Sequence, residues 1–581
     1  MIGQTHTATE RRNAIRKLAA NKAIELPLLP SGFWFKSDIR DNFYYATHLF
    51  ASCVERNSED NRTEEQHNAA MQLAVDMIGN VLKLQVQDSD HPMYGHWPLG
   101  LGDNPAAAKA HPLPVELMGC LIILFYNKYQ HTLPIELKSD MSLAILHIYQ
   151  SDVYRHPIQH VHHHEAKHTA LKLLLAHQFD DKELLEQGLG FLKQQLQHVR
   201  EFGFKEYGCL PWHWHWIQAF TCVWELVDNP DVQQVVSEML DLLWRLRADY
   251  YLKGTWVGAQ SRQWPHDAPL DNNTLLDYIA FGDFPEPVAI TRLEGASFYT
   301  YEVAEDIVKK AVDRSSPQEV KRNIRFAGLD GKVTEEAHTY VYITPDYAVG
   351  GVWERRDEFD NEQQRWDITL PLTSQAFTDG NHVNQALFFH PGAKYKSGDD
   401  RHASPYGEVL FHMDSLIQLW ALPSSLPSLD ANEANKEELV GCLPKGEWRF
   451  EKQSGYGRIG DVYMAFHLMN DFTYLEKTDR ISISSTFEDG LNGVVMEVVA
   501  CKEVAALGID SLNSWAESMN NQRAAYTVIP SAAETGDKLS VVYKTRRNDV
   551  LSLTFGTNDY ERTINGQPIT FTDYQTGELP S

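Results

Sequence analysis

The sequence predicts a multidomain α and β chain, an N-terminal (α/α) toroid or incomplete barrel followed by a C-terminal antiparallel β-sandwich. Three observations carry that prediction. As far as about residue 310, apolar residues recur at helical spacing, and loops rich in Gly, Pro, Trp and His separate the helical stretches. Beyond about Asn323 the pattern becomes short β-branched or aromatic runs divided by Gly, Asn and Asp turns. A chain of 581 residues also exceeds what one core organises, so two domains are expected, residues 1–315 and 316–581.

Thr7 and Glu10 have capping-box spacing and predict a first helix through Leu26. Pro and Gly breaks then precede a second helix carrying Phe43, Ala46, Leu49 and Phe50. Glu64 to Leu84 is a third, with Met71, Ala74, Val75, Ile78, Val81 and Leu82 on one face. HPMYGHWPLGLGDNPAAAKAHPLP reads as a long structured loop. Glu116–Gln130 is apolar almost all round, which predicts a deeply buried helix. Further helices fit Leu137–Ser151, Glu165–His177, Lys182–Phe202, His215–Leu226 and Val232–Tyr251. No short fixed-period repeat is present, so a solenoid is not expected. Antiparallel helix pairs closed into a ring would gather their loops at one end.

In the second half, HTYVYITPDYAVGGVW, RWDITLPL, QALFFHP, EVLFHMDSLIQLWALP, GEWRFEK, DVYMAFHLM, RISISSTF, GVVMEVVA, KLSVVYK and VLSLTFG read as strands, and Asn565-Gly566 as a hairpin turn. This is the pattern of a large antiparallel sandwich.

Composition narrows the function. A hydrophobic fraction of 43% and a charged fraction of 23% are those of a folded globular protein. A net charge of −27 argues against a nucleic-acid partner, whose phosphates call for Lys and Arg. Any acidic substrate would need a locally positive groove. The 6 cysteines are scattered without a C-x-x-C pair, as expected of reduced thiols. The N-terminal segment lacks the apolar core of a signal peptide, and no segment is long and apolar enough to span a bilayer. The expectation is a cytoplasmic protein with no membrane partner.

Three clusters between Arg155 and Asp267 stand out: RHPIQHVHHHEAKH, GFKEYGCLPWHWHW and GAQSRQWPHD. Titratable groups and flat rings set between core helices cost desolvation unless they line a wet cleft, so a groove that serves as an active site is expected here. In the first cluster His160, His164 and His168 share a face if the segment is helical throughout, as do His163 and Lys167. HEAKH also matches H-E-x-x-H with Glu165 in the general-base place, which makes a zinc metalloprotease one reading. No third-ligand pattern accompanies it, and no metal is expected in the site. The second cluster sets Glu206, Tyr207, His213 and His215 around a Gly-Pro-broken loop, with Trp212 and Trp214 as flat apolar platforms. An aromatic loop packed under the β domain is the plainer alternative. The third places Arg262, Trp264 and His266 on a turn, where the Arg262 fork suits a carboxylate or a surface ion pair.

The order and wording of HHHEAKHTALKLLLAH, GFKEYGCLPW, VGAQSRQW, TYVYITPDYAVGG and RWDITLP resemble the (α/α)-toroid polysaccharide lyases with a C-terminal antiparallel β-sandwich, the heparinase II/III, alginate and glucuronan lyase-like group. The resemblance covers most of the chain as architecture. Where that group carries an Asn this chain has His163, and a Tyr of the group falls in the place of CLPWHWHW. The arginine is kept in Gln260-Ser261-Arg262.

The resemblance implies β-elimination on a uronic-acid-containing poly- or oligosaccharide. Donors neutralise the sugar carboxylate and so stabilise an enolate-like intermediate, while Tyr or His groups move protons. His163, His164 and Arg262 are then the carboxylate-side groups and Tyr207 or His213 the proton-transfer group. Glu116, Glu206, Trp212, Trp214, His215, Trp264 and His266 would line the sugar. No cofactor is implied; a structural divalent metal in the β half and homo-oligomerisation are left open. Two alternatives stay beside it. A glycoside hydrolase on the same toroid needs a carboxylate pair, for which Glu116, Glu206, Asp267 and Asp271 are available. A non-catalytic carbohydrate-binding relative is the other, given the altered Asn and Tyr positions.

Overall fold

Several helices of the first half begin where a small polar side chain accepts a first-turn N–H or a proline removes one that would be unpaired. In the computed structural model, which describes residues 6–56, 61–258, 273–355, 364–373, 377, 382–392, 403–423, 437–530, 537–556 and 559–577, Thr7 and Glu10 close the expected capping box on α1 (Ala8–Glu25). Asp38 caps α2 (Ile39–Val54), and Thr63 with Gln66 boxes α3 (Glu64–Lys83). The helices α4 (Leu113–Tyr129), α5 (Ile135–Gln150), α6 (His163–Gln178), α7 (Lys182–Phe202), α8 (Leu210–Leu226), α9 (Pro230–Asp249), α10 (Leu275–Ala280) and α11 (Glu305–Val312) follow.

Among the boundaries that differ from the sequence expectation, two move site residues. The helix expected from Glu165 starts at His163, with His162 as its cap, so His160 is off the helix and only His164 and His168 share that stripe. The helix expected from His215 starts at Leu210 instead. Pro211 sits in its first turn, where a missing N–H costs nothing, so CLPWHWHW is mostly helix rather than loop.

Packing explains why some helices are apolar all round. The inner helices α2, α4, α6 and α8 pack on one another in succession, while α3 lies against α5 and α7 against α9. Inner helices are covered on most sides, which is why α4 buries Val115 through Phe125 without a break. The ring is drawn closed from α1, where Arg11 donates to the Ile279 carbonyl at 2.8 Å and Arg16 to that of Ser297 at 2.9 Å.

The β half is a sandwich with an added layer. Among the described residues a nine-stranded sheet runs in the order Phe472–Glu476, Ile481–Thr486, Glu438–Leu443, Gln385–Phe389, Trp366–Thr369, Ala348–Val352, Val333–Ile343, Gln318–Ala327, Gln575–Thr576. All its neighbours are antiparallel except the last pair, which is parallel. It faces a six-stranded antiparallel sheet whose central strands are Ser415–Ala421, Leu491–Ala500 and Val462–Leu468. A five-stranded sheet from Ala525 to Pro568 covers the far side of that second sheet. Both faces of the six-stranded sheet are therefore apolar: Met464, Phe466 and Met496 point into one core, Tyr463, Ala465 and Val495 into the other. That is why VYMAFHL reads as a continuous apolar run. By contrast Lys538–Lys544, on the outermost layer, alternates buried and open residues.

The two halves meet along α7, α9 and the strand Gln318–Ala327. Arg322 pairs with Asp249, Arg314 donates to the Ala248 carbonyl at 2.6 Å, and the Tyr250 hydroxyl meets Thr339 Oγ1 at 2.7 Å. No helix among the described residues is long and apolar enough to cross a membrane.

Candidate active site

The first turn of α6 carries two histidines, each fixed by a carboxylate from a different element. His163 places Nδ1 2.7 Å from Glu206 Oε1, and its backbone N–H donates to Glu206 Oε2 at 2.9 Å. Trp216, from α8, donates its indole N–H to the same Oε2 at 2.7 Å. A carboxylate bonded by such donors is an acceptor only, so the His163 proton sits on Nδ1 and Nε2 is left with its lone pair. The ring lies flat on Trp212, with centroids 4.5 Å apart and planes at 17°. Burial, only partly opposed by Glu206, pushes the His163 imidazole down to about 4. His163 is therefore neutral at pH 7, and the positive end of the α6 dipole favours the same form.

The His164 ring lies against that of His163, with centroids 4.0 Å apart, but turns its Nδ1 to Glu116 on α4, 2.8 Å from Oε2. One turn later Lys167 Nζ comes to 2.5 Å of that oxygen, and His168 Nε2 stands 3.7 Å from Oε1. Glu116 is buried, which opposes its charge, but Lys167, His164 and His168 outweigh burial and hold its carboxyl far below the usual carboxylate range. The His164 side chain is 36% exposed, which makes it the most open member of the group.

His215, one helical turn beyond Trp212 on α8, completes the wall at 5.5 Å from the His163 ring. It is 9% exposed, and its Nδ1 has no hydrogen-bond partner among the described residues. Burial, followed by the charges of Lys167, His163, Arg292 and Arg40, pushes its imidazole far below the usual histidine range.

The chain thus brings together His163, His164, Glu116, Glu206, Trp212 and His215, but several of them differ from expectation in what they touch. Glu116 and Glu206 hold histidines. One face of Trp212 is covered by His163, and Trp214 is buried with its N–H on the Asn273 carbonyl at 3.0 Å, so neither ring is the open platform expected. His213 is turned away from this group. It is 2% exposed, set edge-on to Phe204, with Nε2 3.1 Å from the Leu243 carbonyl, and burial pushes it down to about 3. Tyr207 adjoins Glu206 in sequence, yet its ring packs on Tyr250 and Trp256 at 5.1 and 5.7 Å. Gly258, at φ 89°, leaves room for that phenol; a Cβ there would stand 2.7 Å from the hydroxyl. Arg262, Trp264, His266, Asp267 and Asp271 lie outside the described residues.

In HEAKH, His164 and His168 both turn to Glu116, and Glu165 accepts the backbone N–H of Gln159 at 3.0 Å. Among the described residues no three His, Cys, Asp or Glu side chains are grouped to hold a metal ion. The sequence reading did not find Trp216 as a ligand of Glu206, nor the Arg40, Asp41, Arg292 and Glu294 group beside His215. Those residues come from separate helices and a late loop, and no local spacing relates them.

No family model matches the sequence, and no curated protein matches it. Among solved structures the chain is similar to a chondroitin AC lyase of Streptomyces coelicolor A3 in complex with chondroitin sulphate, at 10% identity over 94% of this chain and 89% of that one, TM-score 0.42. It is likewise similar to a chondroitinase AC lyase studied as enzyme–oligosaccharide complexes, at 9% identity over 98% of this chain and 99% of that one, TM-score 0.43.

Proposed function

We propose that the cleft beside α6 binds a uronic-acid-containing saccharide and cleaves it by β-elimination. The observation that carries this reading is the His163–Glu206 pair: a neutral imidazole, its proton committed to a carboxylate and its ring clamped on Trp212, with Nε2 left as a base. His163 Nε2 takes the proton from the sugar carbon next to the carboxylate. The electrons form the new C=C bond, the neighbouring C–O bond breaks, and the imidazolium returns the proton to the departing oxygen. His164, fixed by Glu116 through Nδ1 and the most open of the group, takes the carboxylate side of the sugar, where the enolate-like intermediate is stabilised. Lys167 adds positive potential to a protein that is otherwise strongly acidic.

A hydrolase would need one carboxyl group free to protonate the leaving oxygen. Glu206 already receives His163 and Trp216, and Glu116 is held ionised by its cations, so neither is suited to that task. The test is a panel of uronate polymers and oligomers read by ultraviolet absorbance of the unsaturated product. Wild type is expected to generate absorbance on at least one member and His163→Ala on none. A silent wild type across the panel overturns the proposal.

A further inference from the structure

Where α1 closes the helix ring, the walls do not meet. Between α1, α8, α9, α10 and the segment 296–303 lies a cavity of about 130 Å³, whose larger lining residues are Ile217, Trp244, Leu276, Ile279, Tyr299 and Tyr301. The closing contacts run beside it: Arg11 holds the carbonyl of Ile279 at 2.8 Å, and Arg16 that of Ser297, the neighbour of Ala296, at 2.9 Å. Protein interiors seldom leave a gap of that size, and they seldom leave a buried donor unbonded. Here the two exceptions coincide: Trp244 is buried, and its indole Nε1 has no hydrogen-bond partner among the described residues. The other donors of the wall are committed. Thr221 donates to the Ile217 carbonyl at 2.7 Å, Tyr299 to Gln218 Oε1 at 3.0 Å and Tyr301 to Asp241 Oδ1 at 3.3 Å. Among the described lining residues the one charged side chain is Glu302, an exposed carboxylate with Arg12 Nη2 at 3.8 Å.

We propose that this cavity is a second binding site, for a small neutral ligand made of one aromatic ring with a single hydrogen-bond acceptor. Volume sets the ring: a dry cavity of about 150 Å³ with apolar walls takes one benzene molecule. Trp244, Tyr299 and Tyr301 offer it aromatic edges and faces. The Trp244 N–H calls for the acceptor, because a ligand that bonds it satisfies a donor already stripped of water. An ionised sugar is disfavoured, since the wall is apolar and its rim charge is a carboxylate. The inference does not depend on the saccharide reading. The two places share only α8, which turns Trp212 and His215 to the histidine group and Ile217 and Thr221 to the cavity.

The test uses the full chain with benzene and pyridine, rings of equal size of which only pyridine carries an acceptor, both neutral in mildly alkaline buffer. Binding is read by calorimetry and by melting temperature. Wild type is expected to bind each probe at one saturable site and to melt at a higher temperature in its presence. Trp244→Phe is expected to lower the affinity for pyridine relative to benzene by about fivefold or more, the worth of one hydrogen bond. Ala296→Leu and Ala280→Leu each fill the cavity from its wall. Each is expected to weaken both probes by about tenfold or more without lowering the melting temperature of the free chain. Saturable binding of neither probe by wild type overturns the inference, and so does binding that survives unchanged in a folded filled variant. An unchanged pyridine-to-benzene ratio in Trp244→Phe overturns it as well, and that ratio decides alone if neither filled variant folds.

Discussion

The His163 ring rests on Trp212 at 4.5 Å while Glu206 holds its Nδ1 at 2.7 Å, so stacking fixes the plane and hydrogen bonding fixes the rotation. An imidazole held in both respects has one nitrogen left for chemistry, and its tautomer is set by the carboxylate rather than by solvent.

Replacing Glu206 with Gln keeps shape and removes the charge that selects the tautomer. Turnover is expected to fall by about a hundredfold or more, with KM moving little. Steady-state kinetics alongside far-ultraviolet circular dichroism checks this. Full activity in a folded Glu206→Gln variant would detach the pair from catalysis.

Acid should weaken the fold through its buried histidines. Burial holds His163 at about 4, and His48, His162 and His213 at about 3, each below the unfolded value of about 6.5. The folded state binds fewer protons than the unfolded chain between those values, so stability is present above the unfolded pKa and is lost as pH falls toward the folded ones. Urea midpoints measured from pH 7 down to pH 4 are expected to decline steadily. In the same window the acid limb of kcat/KM is expected below the ordinary histidine range, near the His163 value.

Arg247 and Asp277 form a fully buried ion pair at 2.6 Å, with the guanidinium over the Tyr251 ring at 4.9 Å. Arg247→Met alone leaves a buried carboxylate and should cost about 3–5 kcal/mol, while adding Asp277→Leu should recover most of that. Chemical denaturation of the single and double variants decides it; equal losses in both would show that packing, not charge, is at stake.

Gly350 and Gly351 sit in the strand Ala348–Val352 where a Cβ would lie 2.1 Å from the Tyr340 carbonyl oxygen and 1.9 Å from that of Arg365. Since the obstacle is backbone, Gly351→Ala should cost ~3 kcal/mol, the upper end of overpacking. A melting temperature equal to wild type would contradict that account.

Much of this fold was legible in the chain because local rules agree with tertiary demand. Thr7 with Glu10 gave the first cap. Asn565 and Gly566, both with positive φ, make the turn between Tyr560–Ile564 and Gln567–Pro568. The third sheet was not legible, because a continuous apolar run such as VYMAFHL marks burial on both faces without saying whether strands or helices supply the second cover. For the site, the histidine run announced itself, but its partners did not. Glu116 reaches His164 and Lys167 across helices far apart in sequence, and the start of α8 hid behind a proline that the helix accepts in its first turn.

The most direct measurement is product analysis of a uronate oligosaccharide cleaved in water enriched in heavy oxygen. Elimination mediated by His163 predicts an unsaturated, ultraviolet-absorbing product whose newly exposed ends carry no solvent oxygen, and no product from His163→Ala. Heavy oxygen incorporated at the cleaved bond, or cleavage undiminished in His163→Ala, would contradict it.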